Sequence, residues 1–165
     1  DVLVHHQESR AQNHSYAAMA DAWNETGVGQ IMVERVSSGA IENYGVTDLN
    51  GEVSEPVKSI SLKGLVEKPS PKDALSNLVV LGGYILPSKV LDLLETSVAG
   101  VGGETQLTDA LDELLKLDGL NAFETDAGIF DCGSKQGYLS ANLAVGMRDP
   151  EARQFIKDLI KKSGW

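Results

Sequence analysis

The stretch Gly64-Leu65-Val66-Glu67-Lys68-Pro69 decides how this chain is read. A β-like run, Ile60 to Val66, delivers an adjacent acid and base and is stopped at once by proline. Proline has no N–H for a sheet ladder and steers the residue before it toward extended geometry. Lys68 is therefore expected to be extended at the end of a strand, where open α/β sheets place their ligand crevices. An isolated Glu-Lys pair at such a place is most often a solvated surface pair. In a regular strand the two side chains also point to opposite faces. Both serve one ligand only if the strand twists or ends there, as Pro69 suggests.

Working back from that stretch, Tyr44 to Leu49 reads as a strand closed by the hairpin signal Asn50-Gly51, and Val57 to Val66 as its return. Gly45 inside a strand pattern predicts a bulge or a place where a ligand approaches the backbone. Gln30 to Val36 reads as a buried strand. Before it, Tyr16, Met19, Ala20 and Trp23 keep helical spacing, with Gly27 placed to stop the helix. Asp1-Val2-Leu3-Val4 sets an acid beside a short apolar run, the look of a strand with a metal-binding carboxylate at its tip. A ragged chain end is the plainer reading of those residues.

Working forward, Ser70 to Ser76 is a polar loop and Leu78 to Leu86 a near-continuous apolar strand. Pro87 opens a helix carrying Val90, Leu91, Leu93 and Leu94. Gly100 to Gly103 lacks the P-loop arrangement and is no phosphate cradle. Leu107, Leu111, Leu114 and Leu115 form a helical core stripe, with Thr105 or Thr108 as its cap. Asn121 to Thr125 and Gly128 to Phe130 read as short strands, ending at Asp131-Cys132-Gly133-Ser134-Lys135: a carboxylate, a turn glycine, then a helix. Asp149-Pro150 caps a terminal helix whose buried face is expected to be Phe155, Ile156, Leu159 and Ile160.

Composition narrows the function classes. The 165 residues make one domain's worth of chain, with ordinary hydrophobic and charged content. A net charge of −10 argues against nucleic acid or an anionic membrane as partner. Small phosphorylated ligands stay open, because a few lysines and a metal ion neutralise a site locally. One cysteine, Cys132, leaves no internal disulfide and fits a reducing cytoplasm. No apolar run is long enough to span a bilayer. His5, His6 and His14 have no metal-ligand partners at useful spacing and read as surface residues.

The ordered set of motifs resembles one family. Tyr44-Gly45-Val46, Gly64 to Pro69, Ser76-Asn77-Leu78 continuing to Gly82-Gly83-Tyr84, Gly103 to Ala110 and Asp131 to Lys135 look like the C-terminal part of the bacterial UTP–glucose-1-phosphate uridylyltransferases, or UDP-glucose pyrophosphorylases. The resemblance implies an α/β fold: the C-terminal portion of a Rossmann-like, glycosyltransferase-A-like nucleotidyltransferase with a mixed sheet. Residues 1–165 would form one partial domain, the sugar-phosphate-binding half plus C-terminal helices. The chemistry it implies is UTP plus glucose 1-phosphate giving UDP-glucose and pyrophosphate, a reaction of positioning and charge neutralisation.

The resemblance also assigns parts. Asp1 and Asp131 resemble the family's magnesium-binding acids, and Mg²⁺ is the implied cofactor. Lys68 is the expected phosphate contact and catalytic residue, and Glu67 accepts from sugar hydroxyls. Gly45 lets the backbone approach the sugar, Val80 and Tyr84 line that pocket, and Lys135 reaches a phosphate. The family's glycine-rich Gly-x-Gly-Thr-Arg type loop has no counterpart here. The expectation is therefore a cytoplasmic homo-oligomer that binds UDP-glucose, or glucose 1-phosphate and UTP, but is truncated and inactive alone. The alternative is a non-catalytic sugar-nucleotide-binding or assembly protein of the same lineage.

Overall fold

The computed structural model describes residues 2–5, 15–50, 58–96 and 107–164. The chain divides into two compact units, Ala11–Asp126 and a second made of Asp1–Arg10 with Ala127–Trp165.

In the larger unit, helix α1 (Ser15–Thr26) buries Met19 and ends where expected. Gly27 takes φ +69° and its N–H donates to the Trp23 carbonyl, a left-handed stop that glycine adopts without a Cβ penalty. Strand β2 (Gly29–Arg35) follows, then a short 3₁₀ turn, Ser38–Asn43, and strand β3 (Gly45–Leu49). Strand β4 (Ile60–Glu67) pairs antiparallel with β3, so the expected hairpin partners are in place. Residues 51–57 of that connection, Gly51 among them, lie outside the described residues. Strand β5 (Leu78–Ile85) leads to helix α2 (Lys89–Thr96), and helix α3 (Leu107–Asp118) leads to strand β6 (Leu120–Glu124).

The sheet is mixed, as expected: β2 and β6 run parallel, and the other pairs are antiparallel. It also curls shut, in the order β2-β5-β3-β4-β6, which the sequence did not announce. Curling requires local excess twist, and bulges supply it. In the β2–β5 ladder Ile31 faces Tyr84 while Val33 faces Val80, so β5 carries extra residues between them. Gly82 sits in that bulge at φ +77°, a conformation open to glycine. A second shift falls between Asp48 and Leu49 on β3. Gly45 itself pairs regularly with Glu67, so the bulge expected there is not observed.

The core of this unit lies between the sheet and α2 and α3. Ile31, Val33, Leu62, Leu78, Leu114, Leu120 and Ala122 are buried in one cluster. The α3 stripe points inward as its spacing predicts, with Leu111 and Leu114 buried and Leu107 and Leu115 packed beside them. On α2, Val90 is buried and Leu93 and Leu94 pack on the cluster. Leu91 is exposed, because it stands about a quarter-turn off that line.

The smaller unit is a two-stranded antiparallel ribbon, β1 (Val2–His5) with β7 (Gly128–Asp131), and two helices, α4 (Lys135–Gly146) and α5 (Pro150–Lys162). His5 is half-buried in this ribbon and stacks edge-on to Phe130, with centroids 5.9 Å apart. His6 and His14 lie outside the described residues. Asp149 caps α5 through the Ala152 N–H, with Pro150 in the first turn. The expected buried face is not realised: Phe155, Leu159 and Ile160 are exposed, and no residue of α5 is buried. Periodicity reports which side of a helix is apolar, whereas two helices on a two-stranded ribbon offer too little apolar surface to cover it. No helix among the described residues is long and apolar enough to cross a membrane.

Burial separates two leucines of similar sequence context. Leu114→Ala, at a site with no exposure, is expected to cost about 3 kcal/mol in urea denaturation. Leu91→Ala, at an exposed site, should stay within about 0.5 kcal/mol of the parent. Equal losses would contradict this packing.

Candidate functional site

A pocket of about 240 Å³ opens where β3, β4, β5 and α3 meet in the larger unit. Leu65, Val80 and Leu111 form its apolar part, while Asn43, Glu67, Tyr84 and Thr108 contribute polar groups. That volume is below the range for drug-sized ligands and suits one small polar molecule. Val80 and Tyr84 arrive from β5 on either side of the glycine bulge. Gly45 arrives at the start of β3, opposite Glu67 at the end of β4.

Glu67 is the charged centre of the pocket. Its Oε1 lies 4.0 Å from the Lys68 ammonium, and its Oε2 accepts a hydrogen bond of 3.2 Å from the Thr108 hydroxyl. Burial raises the pKa of the Tyr84 phenol, and the negative charge of Glu67 raises it further. Gly45 leaves open the space that Glu67 uses: a Cβ built at Gly45 would sit 3.1 Å from Glu67 Oε2. The first neighbour of that bare backbone is this carboxylate, and Gly45 also lines the pocket.

Lys68 is not extended. It has φ +44°, in the left-handed region that non-glycine residues rarely occupy. The proline rule disfavours a right-handed helical residue before Pro69, and two local anchors then decide among what remains. The Lys68 N–H donates to the Tyr44 carbonyl at 3.1 Å, and the Pro69 ring is buried. Strand alternation therefore ends at Glu67, and the Glu67 and Lys68 head groups lie on the same side, as their 4.0 Å separation records. Backbone of this kind costs about 1–3 kcal/mol and clusters at functional sites. Both side chains are exposed, so their mutual attraction contributes little to stability.

Thr108 is the residue that sequence reasoning misplaced. It is the second residue of α3, and its hydroxyl reaches across to Glu67. Thr105, the other candidate cap, lies outside the described residues. A cap and a cross-strand donor draw on the same hydroxyl chemistry, so only the position of α3 against β4 separates the two readings.

The smaller unit holds the remaining candidates at the β7–α4 turn. Asp131 ends β7 as the register partner of Val2, and its Oδ1 accepts from the Gly133 N–H at 3.0 Å. Ser134 caps α4 by accepting from the Gly137 N–H while its hydroxyl donates to the Asp131 carbonyl. Lys135 is the exposed first residue of that helix. Gly137 allows the turn to close, since a Cβ there would overlap the Asp131 carbonyl oxygen. A glycine in the first turn of a helix, where propensity disfavours it, was the sequence signal for this packing. Asp1 lies outside the described residues, and those residues contain no group of three or more side chains suited to hold a metal ion.

Comparison with known proteins identifies relatives of the chain. The family described as nucleotidyl transferase matches residues 4–147. The UTP–glucose-1-phosphate uridylyltransferase of Haemophilus influenzae is 41% identical over 98% of this chain and 56% of its own length. That of Escherichia coli K12 is 38% identical over 90% of this chain and 48% of its own. Among solved structures, a UTP-bound UGPase from Acinetobacter baumannii superposes with a TM-score of 0.82 at 38% identity, covering 96% of this chain and 53% of that one. A UDP-glucose pyrophosphorylase complexed with UDP-glucose gives a TM-score of 0.73 at 30% identity, over 84% of this chain and 52% of that one. The chain thus spans about half the length of the curated relatives it matches. A family match over most of the chain, joined to a fold shared with UDP-glucose pyrophosphorylases, establishes that the chain belongs to the nucleotidyl transferase family.

Proposed function

We propose that the pocket around Glu67 binds the glucosyl phosphate part of glucose 1-phosphate or UDP-glucose, and that these residues supply the sugar-phosphate side of uridylyl transfer from UTP. What carries this reading is the convergence of Gly45, Glu67, Val80, Tyr84 and Thr108 on one small pocket; Lys68 is not among its lining residues, but its ammonium stands 4.0 Å from Glu67 Oε1. A carboxylate beside a hydroxyl-bearing pocket accepts from sugar hydroxyls, and an exposed ammonium on a turn meets a phosphate as a compact point charge. The uridylyltransferases and UGPase structures it resembles support the choice of nucleotide and sugar.

The metal side of the proposal rests on Asp131. Its carboxylate is exposed at a strand end and its oxygens are hard donors, which fits Mg²⁺. Gly133, Ser134 and Gly137 hold its backbone and one of its oxygens in place. Asp131, with Asp1 as the second acid, would hold the cation, which when bound supplies positive charge against the nucleotide phosphates. Lys135 follows on the first turn of α4 as a further phosphate contact.

Two measurements test this. In calorimetric titration with UDP-glucose or glucose 1-phosphate, Lys68→Ala is expected to weaken binding about tenfold or more, the loss of one charge-assisted contact. Lys161→Ala, on α5, should leave binding unchanged. Lys68→Gly should lose the same affinity while keeping or raising the urea midpoint, because glycine takes the φ +44° backbone without strain. Equal affinities for all these variants would remove Lys68 from the site.

The second measurement uses Mn²⁺ alone as a paramagnetic probe. Broadening of amide resonances around Gly133 and Ser134 is expected in the parent and should disappear in Asp131→Asn. Broadening that persists in that variant would take Asp131 out of the metal site.

A further inference from the structure

We infer that Thr108 is a positioning residue for Glu67: from the first turn of α3 its hydroxyl holds the Glu67 carboxylate over the bare backbone of Gly45, aiming the free part of that carboxylate into the pocket. The inference rests on the sugar-binding reading above for its consequence, but its geometry stands apart from any ligand.

Two observations converge on one oxygen, and a third concerns its twin. Glu67 Oε2 accepts from Thr108 Oγ1 at 3.2 Å. The same oxygen would lie 3.1 Å from a Cβ at Gly45, a crowded contact, so only a glycine opposite Glu67 leaves that position fully open. Oε1 faces Lys68 at 4.0 Å, a loose pairing that does not fix the side chain by itself. Glu67 is otherwise exposed at the last position of β4, with several rotamers open to it. An exposed glutamate loses rotamer entropy when a ligand immobilises it, and a tether made beforehand lowers that cost.

Thr108 suits the task because its helix is anchored from below. Leu111 and Leu114, on the following turns of α3, are buried in the core, so the hydroxyl is presented from a fixed platform. Glu67 is in turn fixed at its backbone by pairing with Gly45. The tether thus joins two rigid elements through their one mobile side chain.

The test compares the parent with Thr108→Val, Thr108→Ser, Gly45→Ala and Glu67→Gln. The first readout needs no ligand: the Tyr84 ring is titrated by carbon NMR, since its phenol senses the Glu67 charge. Thr108→Val keeps the shape of the side chain but frees Glu67 to swing into solvent. Its Tyr84 midpoint should fall toward that of Glu67→Gln, while Thr108→Ser titrates like the parent. The second readout is titration with glucose 1-phosphate, where Thr108→Val and Gly45→Ala should each weaken binding about tenfold, the scale of one hydrogen bond to a charged group, and Thr108→Ser should restore it. A Tyr84 titration in Thr108→Val that matches the parent overturns the positioning role. Absent sugar-phosphate binding in the parent overturns the reading of the pocket instead, and the Tyr84 comparison still decides whether Thr108 holds Glu67.

Discussion

The register of one strand pair carries the site. Gly45 stands opposite Glu67 and Val46 opposite Val66, and the ladder runs on through the Lys68 N–H to the Tyr44 carbonyl. A slip of one residue would exchange the faces of β4 and send Glu67 away from the pocket. It would also set a side chain other than a glycine beneath the carboxylate, where a Cβ already meets Oε2 at 3.1 Å. The register is protected by burial, since Val46, Thr47 and Leu62 are all buried along the same pair. Placement of an exposed acid and base thus follows from apolar packing several residues away.

The two units solve a similar local problem in similar ways. In each, a strand ends on an acid, and a hydroxyl at the start of a helix reaches back to that residue. Thr108 donates to the Glu67 carboxylate, and Ser134 donates to the Asp131 carbonyl. Each also relies on a glycine whose missing Cβ makes room, Gly45 beside Glu67 and Gly137 beside the Asp131 carbonyl. Side chains with short, stiff connections to rigid backbone lose little further entropy when a ligand arrives. That is the physical advantage of building with strand ends and helix starts rather than with longer loops.

Curvature of the sheet is the other structural requirement. Val80 and Tyr84 share a pocket with residues of β3 and β4 because β5 bends at Gly82, where the β2–β5 register shifts. The bend lets β5 pair with β2 on one side and meet β3 through Val46 and Val79 on the other. Burial of Tyr84 beside Glu67 follows from this closure, and with it the raised phenol pKa. The pocket is therefore a product of twist and bulge as much as of the residues that line it.

Much of the chain was legible from residue pattern alone. Strands at β2 to β6, the α3 stripe, the Gly27 stop and the Asp149 cap all follow from local rules of period, propensity and capping, which neighbouring residues satisfy without help. The acid-base pair at the end of β4 was likewise visible because Pro69 punctuates it. Tertiary structure decided the rest. Lys68 takes positive φ because a backbone bond to Tyr44 and the buried Pro69 ring outweigh the preference for extended geometry. Thr108 serves Glu67 rather than its own helix because α3 lies across β4, a distance of 41 residues along the chain. Phe155, Leu159 and Ile160 form an apolar stripe that the helix period announced, yet whether a stripe is covered depends on what surface stands against it, and no local pattern records that.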